Sequence, residues 1–119
     1  DIDTHSAYST STGEFTVPVA GYYQFNAYIN PDMSSGTANR IFTYFIVNGT
    51  TRYQTAHTPT PYQSDRMGIS SAITLNLSQN DTVAVLVYVN GGTSYVLNGY
   101  SINPPYTDYY NYFSGQLLA

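Results

Sequence analysis

The sequence contains no cysteine and no lysine, and charged residues make up only 8% of its 119 positions. The absence of cysteine excludes disulfides, a thiolate nucleophile and a cysteine-ligated zinc site. The only basic residues are Arg40, Arg52 and Arg66, against seven carboxylates. Nucleic-acid binding and a polybasic membrane contact both require a basic patch, so we expect neither partner.

Long hydrophobic runs and helical periods are also missing. No apolar run approaches the roughly 18 residues that a membrane-crossing helix needs, so we predict no membrane insertion. No segment of ten or more residues carries the period of an amphipathic helix. The chain opens at Asp1 without a methionine or a signal peptide, so we expect a processed product or an excised domain.

Tyrosine, phenylalanine and β-branched residues, which fit a pleated and half-buried sheet surface, dominate what is present. Alternation of apolar and polar residues, interrupted by Gly, Pro and Asn-Gly pairs, predicts about eight strands. We therefore predict one all-β domain over residues 1–119, a two-sheet sandwich with Greek-key or jelly-roll connections. The predicted strands are residues 15–17, 21–29, 40–47, 50–56, 69–77, 82–89, 94–97 and 112–118.

Two local expectations accompany this assignment. Pro18 cannot donate to a strand ladder, so it should confine the short strand before it to a sheet edge. Residues 1–12 lack periodicity and are interpreted as an irregular lead-in.

The predicted strands 40–47 and 82–89 are apolar on both faces. A sandwich strand needs only one apolar face for its core, so the second face must be covered in another way. One interpretation is a central sheet position or cover by loops, and the other is a subunit interface. The trimer-interface candidates are Tyr44, Ile46, Leu86, Tyr88 and Leu118.

Four motifs in register resemble one family. Residues 13–25, G-E-F-T-V-P-V-A-G-Y-Y-Q-F, are similar to the signature G-x-F-x-x-P-x-x-G-x-Y-x-F. Residues 47–49 resemble a strand-end Asn-Gly, residues 75–83 resemble L-x-L-x-x-G-D-x-V, and residues 113–118 resemble a closing F-S-G-x-L-L. These are motifs of the globular heads of complement component 1, subcomponent q, which share the jelly-roll class of tumour necrosis factor.

The resemblance implies a ten-stranded jelly roll that assembles as a compact trimer, often on a fibrous stalk, with a binding or structural role and no catalysis. Asn80 stands where the family usually has Gly, a replacement that a turn tolerates. The family's first strand is missing, so we predict that an upstream segment of the parent protein or another chain supplies it. The signature residues expected in the core are Phe15, Pro18, Gly21, Tyr23, Phe25, Phe113 and Gly115.

The sequence patterns that could indicate a catalytic site are weak. Residues 68–72 loosely match a nucleophile elbow, but an elbow requires a strand-to-helix turn and this segment begins a predicted strand. His5 and His57 do not share a metal-binding spacing and are interpreted as surface-loop residues. We therefore predict a protein that is not an enzyme and needs no cofactor.

Loop carboxylates and sequons complete the candidate sites. Asp32, Asp65 and Asp108 lie in separate predicted loops, and nothing in their spacing recommends an acid–base pair for glycoside hydrolysis. Because some family members bind calcium through loop carboxylates, Asp108 and Asp65 are the candidate calcium ligands. Three glycosylation sequons are interpreted as turn chemistry, and they begin at Asn48, Asn76 and Asn80.

The tyrosine-rich segment before the last strand is the candidate contact surface. Tyrosine offers a large rigid face and a hydroxyl at little entropic cost, which suits contact with carbohydrate or protein. The alternative is that these tyrosines line the trimer seam or pack against the lead-in. The candidate receptor contacts are Tyr106, Asp108, Tyr109, Tyr110 and Tyr112.

Together these features predict a non-enzymatic trimeric head of a fibrous surface or virion protein, such as a phage fibre or a microbial adhesin, located extracellularly or on a virion. Its expected partners are two further copies of itself and a cell-surface receptor, with a glycan as one candidate. Two alternatives stay open. One is a purely structural trimerisation cap or capsid decoration, and the other is a secreted recognition protein of the same family.

Overall fold

The computed structural model describes residues 3–29, 40–59, 69–89, 93–96 and 112–119. Within these residues every regular element is a β-strand. The strands are β1 (Tyr8–Ser9), β2 (Glu14–Thr16), β3 (Gly21–Ile29), β4 (Arg40–Val47), β5 (Thr51–Pro59), β6 (Ile69–Leu77), β7 (Thr82–Val89), β8 (Thr93–Val96) and β9 (Tyr112–Leu117).

The described strands form two antiparallel sheets. The large sheet has the order β1-β2-β7-β4-β5, and β8 pairs with β7 beyond the end of β2. The small sheet has the order β6-β3-β9. Side chains from both sheets form one hydrophobic core between them. The predicted all-β, two-sheet architecture is therefore confirmed.

The core is built around the aromatic residues of β3. Alternation along this strand directs Tyr23 and Phe25 inward, and both are 1% exposed or less. The ring of Phe25 contacts the rings of Phe15, Phe45 and Phe113, with centroids 5.5, 6.3 and 5.7 Å away. The first motif, the last motif and β4 therefore meet at one aromatic cluster.

The prediction for Pro18 is wrong. The short strand β2 ends at Thr16, so Pro18 lies beyond the ladder and removes no hydrogen bond from it. β2 pairs with β1 on one side and with β7 on the other, so it is not an edge strand. The lead-in is also not wholly irregular, because Tyr8 and Ser9 form β1 opposite Phe15 and Glu14.

Two further boundaries differ from the prediction. The described residues contain nine strands rather than about eight, since β1 was not predicted. β5 continues through His57 to Pro59, although the sequence predicts a strand that ends at residue 56 and a surface loop from His57 onward. The continuation follows pairing with β4: His57 lies opposite Phe42 and Pro59 lies opposite Arg40, after a register irregularity at residues 43–44. Long-range pairing therefore outweighs the local turn signal of proline.

Candidate functional site

The outward side of the large sheet carries a cluster of aromatic side chains. Phe42 stacks on His57 with ring centroids 4.5 Å apart and planes 4° from parallel. The same ring lies 6.3 Å from Tyr44 and 5.7 Å from Tyr88. We name this surface the aromatic face, and it consists of Phe42, Tyr44, Ile46, His57, Leu86 and Tyr88.

Four of the five trimer-interface candidates lie together on the aromatic face, because Tyr44 is opposite Leu86 in the pairing of β4 with β7. Tyr44, Ile46 and Tyr88 are half-buried, whereas Leu86 is only 6% exposed. Leu86 is therefore covered within the chain itself, whereas Tyr44, Ile46 and Tyr88 remain partly exposed. Leu118 is 51% exposed and follows β9 in the other sheet, so the structure does not bring it to this face.

Of the predicted receptor contacts, only Tyr112 lies within the described residues; Tyr106, Asp108, Tyr109 and Tyr110 lie outside them. Tyr112 begins β9 and is 54% exposed. Its ring stacks on that of Tyr28, with centroids 5.7 Å apart and planes 16° from parallel. Tyr112 therefore forms, with the half-buried Tyr28, an aromatic pair on the outward side of the small sheet.

The outward side of the small sheet is a second candidate surface, which sequence reasoning did not single out. None of its three strands contains a charged residue. Tyr22 is 53% exposed, and the side-chain amide of Gln116 donates to Oε1 of Gln24 at 3.3 Å. The polar alternation of β3 was visible in the sequence, but the placement of β9 beside it was not.

A cleft of about 710 Å³ opens between the β1–β2 side of the large sheet and β9 of the small sheet. Its walls include the rings of Tyr8, Phe15, Tyr23 and Phe113. Tyr8 and Phe113 face each other across it in an edge-to-face contact with centroids 5.8 Å apart. Partial burial raises the pKa of the Tyr8 phenol above its ordinary value. We name this feature the side cleft.

Two turns at one end of the sandwich are joined by side-chain hydrogen bonds. The amide of Asn48 donates to Oδ1 of Asp81 at 2.9 Å and its oxygen accepts from the backbone N–H of Thr82 at 2.9 Å. The other oxygen of Asp81 accepts from the backbone N–H of Ser78 at 2.8 Å. The bonds from Asn48 and Ser78 lower the pKa of Asp81. We name this network the turn lock.

Two of the three sequon asparagines lie in the turns that the turn lock joins. Asn48 and Asn80 have positive φ angles of 51° and 71°, which asparagine tolerates better than most residues. Asn76 is different: it lies within β6, exposed and opposite Tyr22, so its assignment to a turn is wrong.

The weak catalytic patterns do not form a site in the part of the chain that the structure describes. Ser70 and Ser71 lie within β6, which leads to β7 and not to a helix. His57 lies on a strand and not in a surface loop, while His5 is exposed in the segment before β1. No group of three His, Cys, Asp or Glu side chains suited to a metal ion occurs among the described residues. Asp32, Asp65 and Asp108 lie outside them.

A sequence model of the C1q domain matches residues 1–118. The chain belongs to the C1q domain family. Its structure is similar to the globular domain of the zebrafish complement 1qA protein, with a TM-score of 0.68 and 17% sequence identity over 99% of this chain and 78% of that chain. At this identity the similarity shows a shared fold only. No curated protein sequence matches the chain.

Membership in the C1q domain family confirms the family resemblance that the four sequence motifs indicated. C1q domains are recognition or structural domains, generally without catalytic activity, and they are typically found in secreted or extracellular proteins. In the described part of this C1q domain, no helix is both long enough and apolar enough to cross a membrane.

Proposed function

We propose that this C1q domain is the trimeric head of a fibrous surface or virion protein, which holds three chains together and presents a receptor-binding surface. The observation that carries the proposal is the aromatic face. It combines three half-buried aromatic or aliphatic side chains on a single sheet surface, at Tyr44, Ile46 and Tyr88. Contiguous apolar surface of this kind typically marks a site of association.

The distribution of charge around this face supports the proposal of an interface. The strand pairing places Glu14 beside Ala84 and Arg52 beside Ile46, so these charged residues lie around the aromatic cluster and not within it. An apolar centre with a polar margin is the usual anatomy of a stable protein interface. A second copy docked here would cover the apolar centre while the margin stays hydrated.

The test is the mass of the assembly in solution, measured by native mass spectrometry or light scattering. We expect the wild-type chain to be a trimer and Tyr44→Glu to be a folded monomer, since a carboxylate in a dry interface is costly. The matched control is Thr74→Glu, at an exposed position on the outward side of the small sheet. A wild-type monomer would contradict the proposal. Dissociation by the Thr74 variant but not the Tyr44 variant would move the interface to the small sheet.

We further propose that the receptor surface includes the tyrosines before β9 and the stacked pair of Tyr112 and Tyr28. Stacked tyrosines beside uncharged amides suit a carbohydrate, because rings pack on sugar C–H groups and amides bond hydroxyls. Binding to cells or to a glycan panel should be lost in the Tyr109→Ala, Tyr110→Ala double variant and weakened in Tyr112→Ala. Unchanged binding in both variants would contradict this surface.

The alternatives are separated by the same measurements. A structural cap or capsid decoration predicts a heat-resistant trimer that binds no receptor. A secreted recognition protein predicts receptor binding, and a collagen-like Gly-X-Y stretch in the parent chain would favour it over a virion fibre.

The loop carboxylates of Asp65 and Asp108 are our candidate calcium ligands. A rise in thermal stability on adding calcium, absent after Asp108→Asn, would support that role.

A further inference from the structure

Asn48 and Gly49 lie at the tip of the turn between β4 and β5, and an Asn-Gly pair is prone to a spontaneous reaction. Both residues are exposed, and their φ angles are 51° and 68°. In such a pair the backbone nitrogen of glycine can attack the amide carbon of asparagine, because glycine has no side chain to block the approach. Nothing in the described structure lies within 4 Å of the position that a Cβ of Gly49 would take. Packing among the described residues therefore gives Gly49 no steric protection.

The reaction converts an amide to a carboxylate and needs only water. The Gly49 nitrogen gives up its proton and bonds to Cγ of Asn48, the bond from Cγ to Nδ2 breaks, and Nδ2 leaves as ammonia. The product is a five-membered succinimide ring. Water then adds to one of the two ring carbonyls and opens the ring to aspartate or to isoaspartate, in which the main chain runs through the side-chain carbon. Either product carries a new negative charge at position 48.

In the folded chain the turn lock holds the nitrogen that must leave. Nδ2 of Asn48 donates to Oδ1 of Asp81 at 2.9 Å, and Oδ1 of Asn48 accepts from the N–H of Thr82 at 2.9 Å. Asp81 is itself fixed, because its other oxygen accepts from the N–H of Ser78 at 2.8 Å. Departure of Nδ2 necessarily breaks its bond to Asp81. The reaction therefore proceeds from conformations in which the turn lock has opened locally, and their population sets its rate.

The backbone of the turn is held at two further points. The N–H of Asn48 donates to the carbonyl of Thr82 at 2.9 Å, and the N–H of Thr50 donates to the carbonyl of Val47 at 3.1 Å. Ring closure constrains the backbone between Asn48 and Gly49 to the geometry of a five-membered ring, and these two bonds resist that change. The folded chain should therefore protect Asn48 although the pair itself is exposed.

The product changes the interaction at the turn lock from attraction to repulsion. A carboxylate accepts hydrogen bonds but has no proton to donate. At position 48 it places a second negative charge against Oδ1 of Asp81, where Nδ2 donates at 2.9 Å in the unmodified chain. Isoaspartate also lengthens the main chain within a short turn, since Val47 pairs with Thr51 across it. Both products therefore weaken the link between the two turns.

We propose that Asn48 is a site of spontaneous deamidation, that the turn lock sets its rate, and that the reaction breaks the lock irreversibly. The modification is a one-way change at this end of the sandwich, from two turns that are bonded to each other to two turns that repel. The proposal concerns a covalent change within one chain, so it is independent of trimer formation and of receptor binding.

Peptide mapping measures the reaction at Asn48 separately from the other Asn-Gly pairs, which begin at Asn90 and Asn98. Trypsin cleaves after arginine, so it releases residues 41–52 as one fragment that contains Asn48 alone of the three. The chain is incubated at mildly alkaline pH, either folded or in urea, and digested at intervals. Mass spectrometry follows the gain in mass from amide to carboxylate, and electron-transfer fragmentation distinguishes isoaspartate from aspartate.

We expect both products to form at Asn48 in urea, and the rate to be at least tenfold lower in the folded chain. Asp81→Ala removes the partner of Nδ2, so it should raise the rate in the folded chain at least fivefold. No reaction at Asn48 in urea, or equal rates in urea and in the folded chain, would overturn the proposal.

The matched control separates local opening from global unfolding. Gly115→Ala should destabilise the whole domain, because its Cβ would lie 2.6 Å from Phe25, and Gly115 makes none of the hydrogen bonds of the turn lock. We expect this variant to leave the rate at Asn48 within twofold of wild type. If Gly115→Ala accelerates the reaction as much as Asp81→Ala does, global unfolding sets the rate and the proposal is wrong.

An exchange of the two side chains tests the effect of the product. Asn48→Asp places the direct product at the site and should lower the urea midpoint of the domain. The double variant Asn48→Asp, Asp81→Asn exchanges carboxylate and amide, so that one again donates to the other, and it should recover at least half of the loss. An Asn48→Asp variant as stable as wild type, or a double variant no more stable than that single variant, would refute the claim that the product breaks the lock.

Discussion

Gly115 is a position where the fold leaves no room for a side chain, and its replacement by alanine tests the packing of the core directly. A Cβ at Gly115 would lie 2.6 Å from Cε1 and 2.8 Å from Cδ1 of Phe25. Phe25 is fully buried, and its ring is surrounded by those of Phe15, Phe45 and Phe113. The ring cannot turn aside without displacing its neighbours, so Gly115→Ala should destabilise the fold.

The expected magnitude follows from two opposing effects. Forcing an extra carbon into a packed core costs about 1–3 kcal/mol. Replacing glycine in a strand restricts the unfolded chain, which stabilises the protein by roughly 0.5–1 kcal/mol. The free energy of unfolding should therefore fall by about 0.5–2 kcal/mol. Urea denaturation followed by circular dichroism measures this, with a lower midpoint and an unchanged slope.

The control must carry a similar penalty of a different origin. Gly49→Ala serves, because nothing lies within 4 Å of a Cβ at that position. Its φ of 68° makes alanine unfavourable by about 1–2 kcal/mol through backbone strain alone. The penalty at Gly49 should not depend on Phe25, whereas the penalty at Gly115 should.

A double-mutant cycle with Phe25→Leu distinguishes the packing penalty at Gly115 from the backbone penalty at Gly49. The smaller side chain makes room for the new Cβ, so the cost of Gly115→Ala should fall by about 1 kcal/mol or more in that background. The cost of Gly49→Ala should be the same in both backgrounds. A cost at Gly115 below about 0.5 kcal/mol, or one that does not change with Phe25→Leu, would refute the packing argument.

Three further predictions concern polar groups. Among the described residues the Thr43 hydroxyl is buried without a hydrogen-bond partner, so Thr43→Val should raise the free energy of unfolding by about 1 kcal/mol in urea titrations; a decrease would contradict this. The pKa of Asp81 is lowered from 3.8, so its stabilising contribution is present above that value and is lost as the pH falls through the folded-state pKa. The stability difference between wild type and Asp81→Asn should therefore shrink with acidification, and a constant difference would argue against the turn lock. At Asn48, whose φ is positive, Asn48→Ala should cost about 1 kcal/mol more than Asn48→Gly in thermal melts, and equal costs would contradict the role of backbone strain.

Predictions from the sequence succeeded where a residue's position depends on its near neighbours in the chain. The inward face of β3 was correct, because period-two alternation alone determines which side of a strand is apolar. Turn chemistry at Asn48 and Gly49 was also correct, since both residues adopt positive φ angles there. The errors at Pro18 and Pro59 had the opposite origin: each depended on which strand lies alongside, and proline carries no information about that.

The candidate sites also divide into features that near neighbours in the chain determine and features that strand pairing determines. Two apolar faces on β4 and β7 were evident in the sequence, but the large sheet determined that Leu86 is buried within the chain while Tyr44 is only half-buried. Leu118 seemed equivalent to them as an apolar residue and lies on the other sheet. The side cleft was not visible in the sequence, because it arises between residues about a hundred positions apart.

By itself, the sequence determined the family, most of the strands and the composition of the core, since recurring motifs and alternation are properties of neighbouring residues. Only the tertiary structure decided the order of strands within each sheet, the assembly of the aromatic face and the placement of β9 beside β3. The physical reason is that strand neighbours are selected by the burial of whole faces against each other. That free energy belongs to pairs of distant segments and not to any one of them.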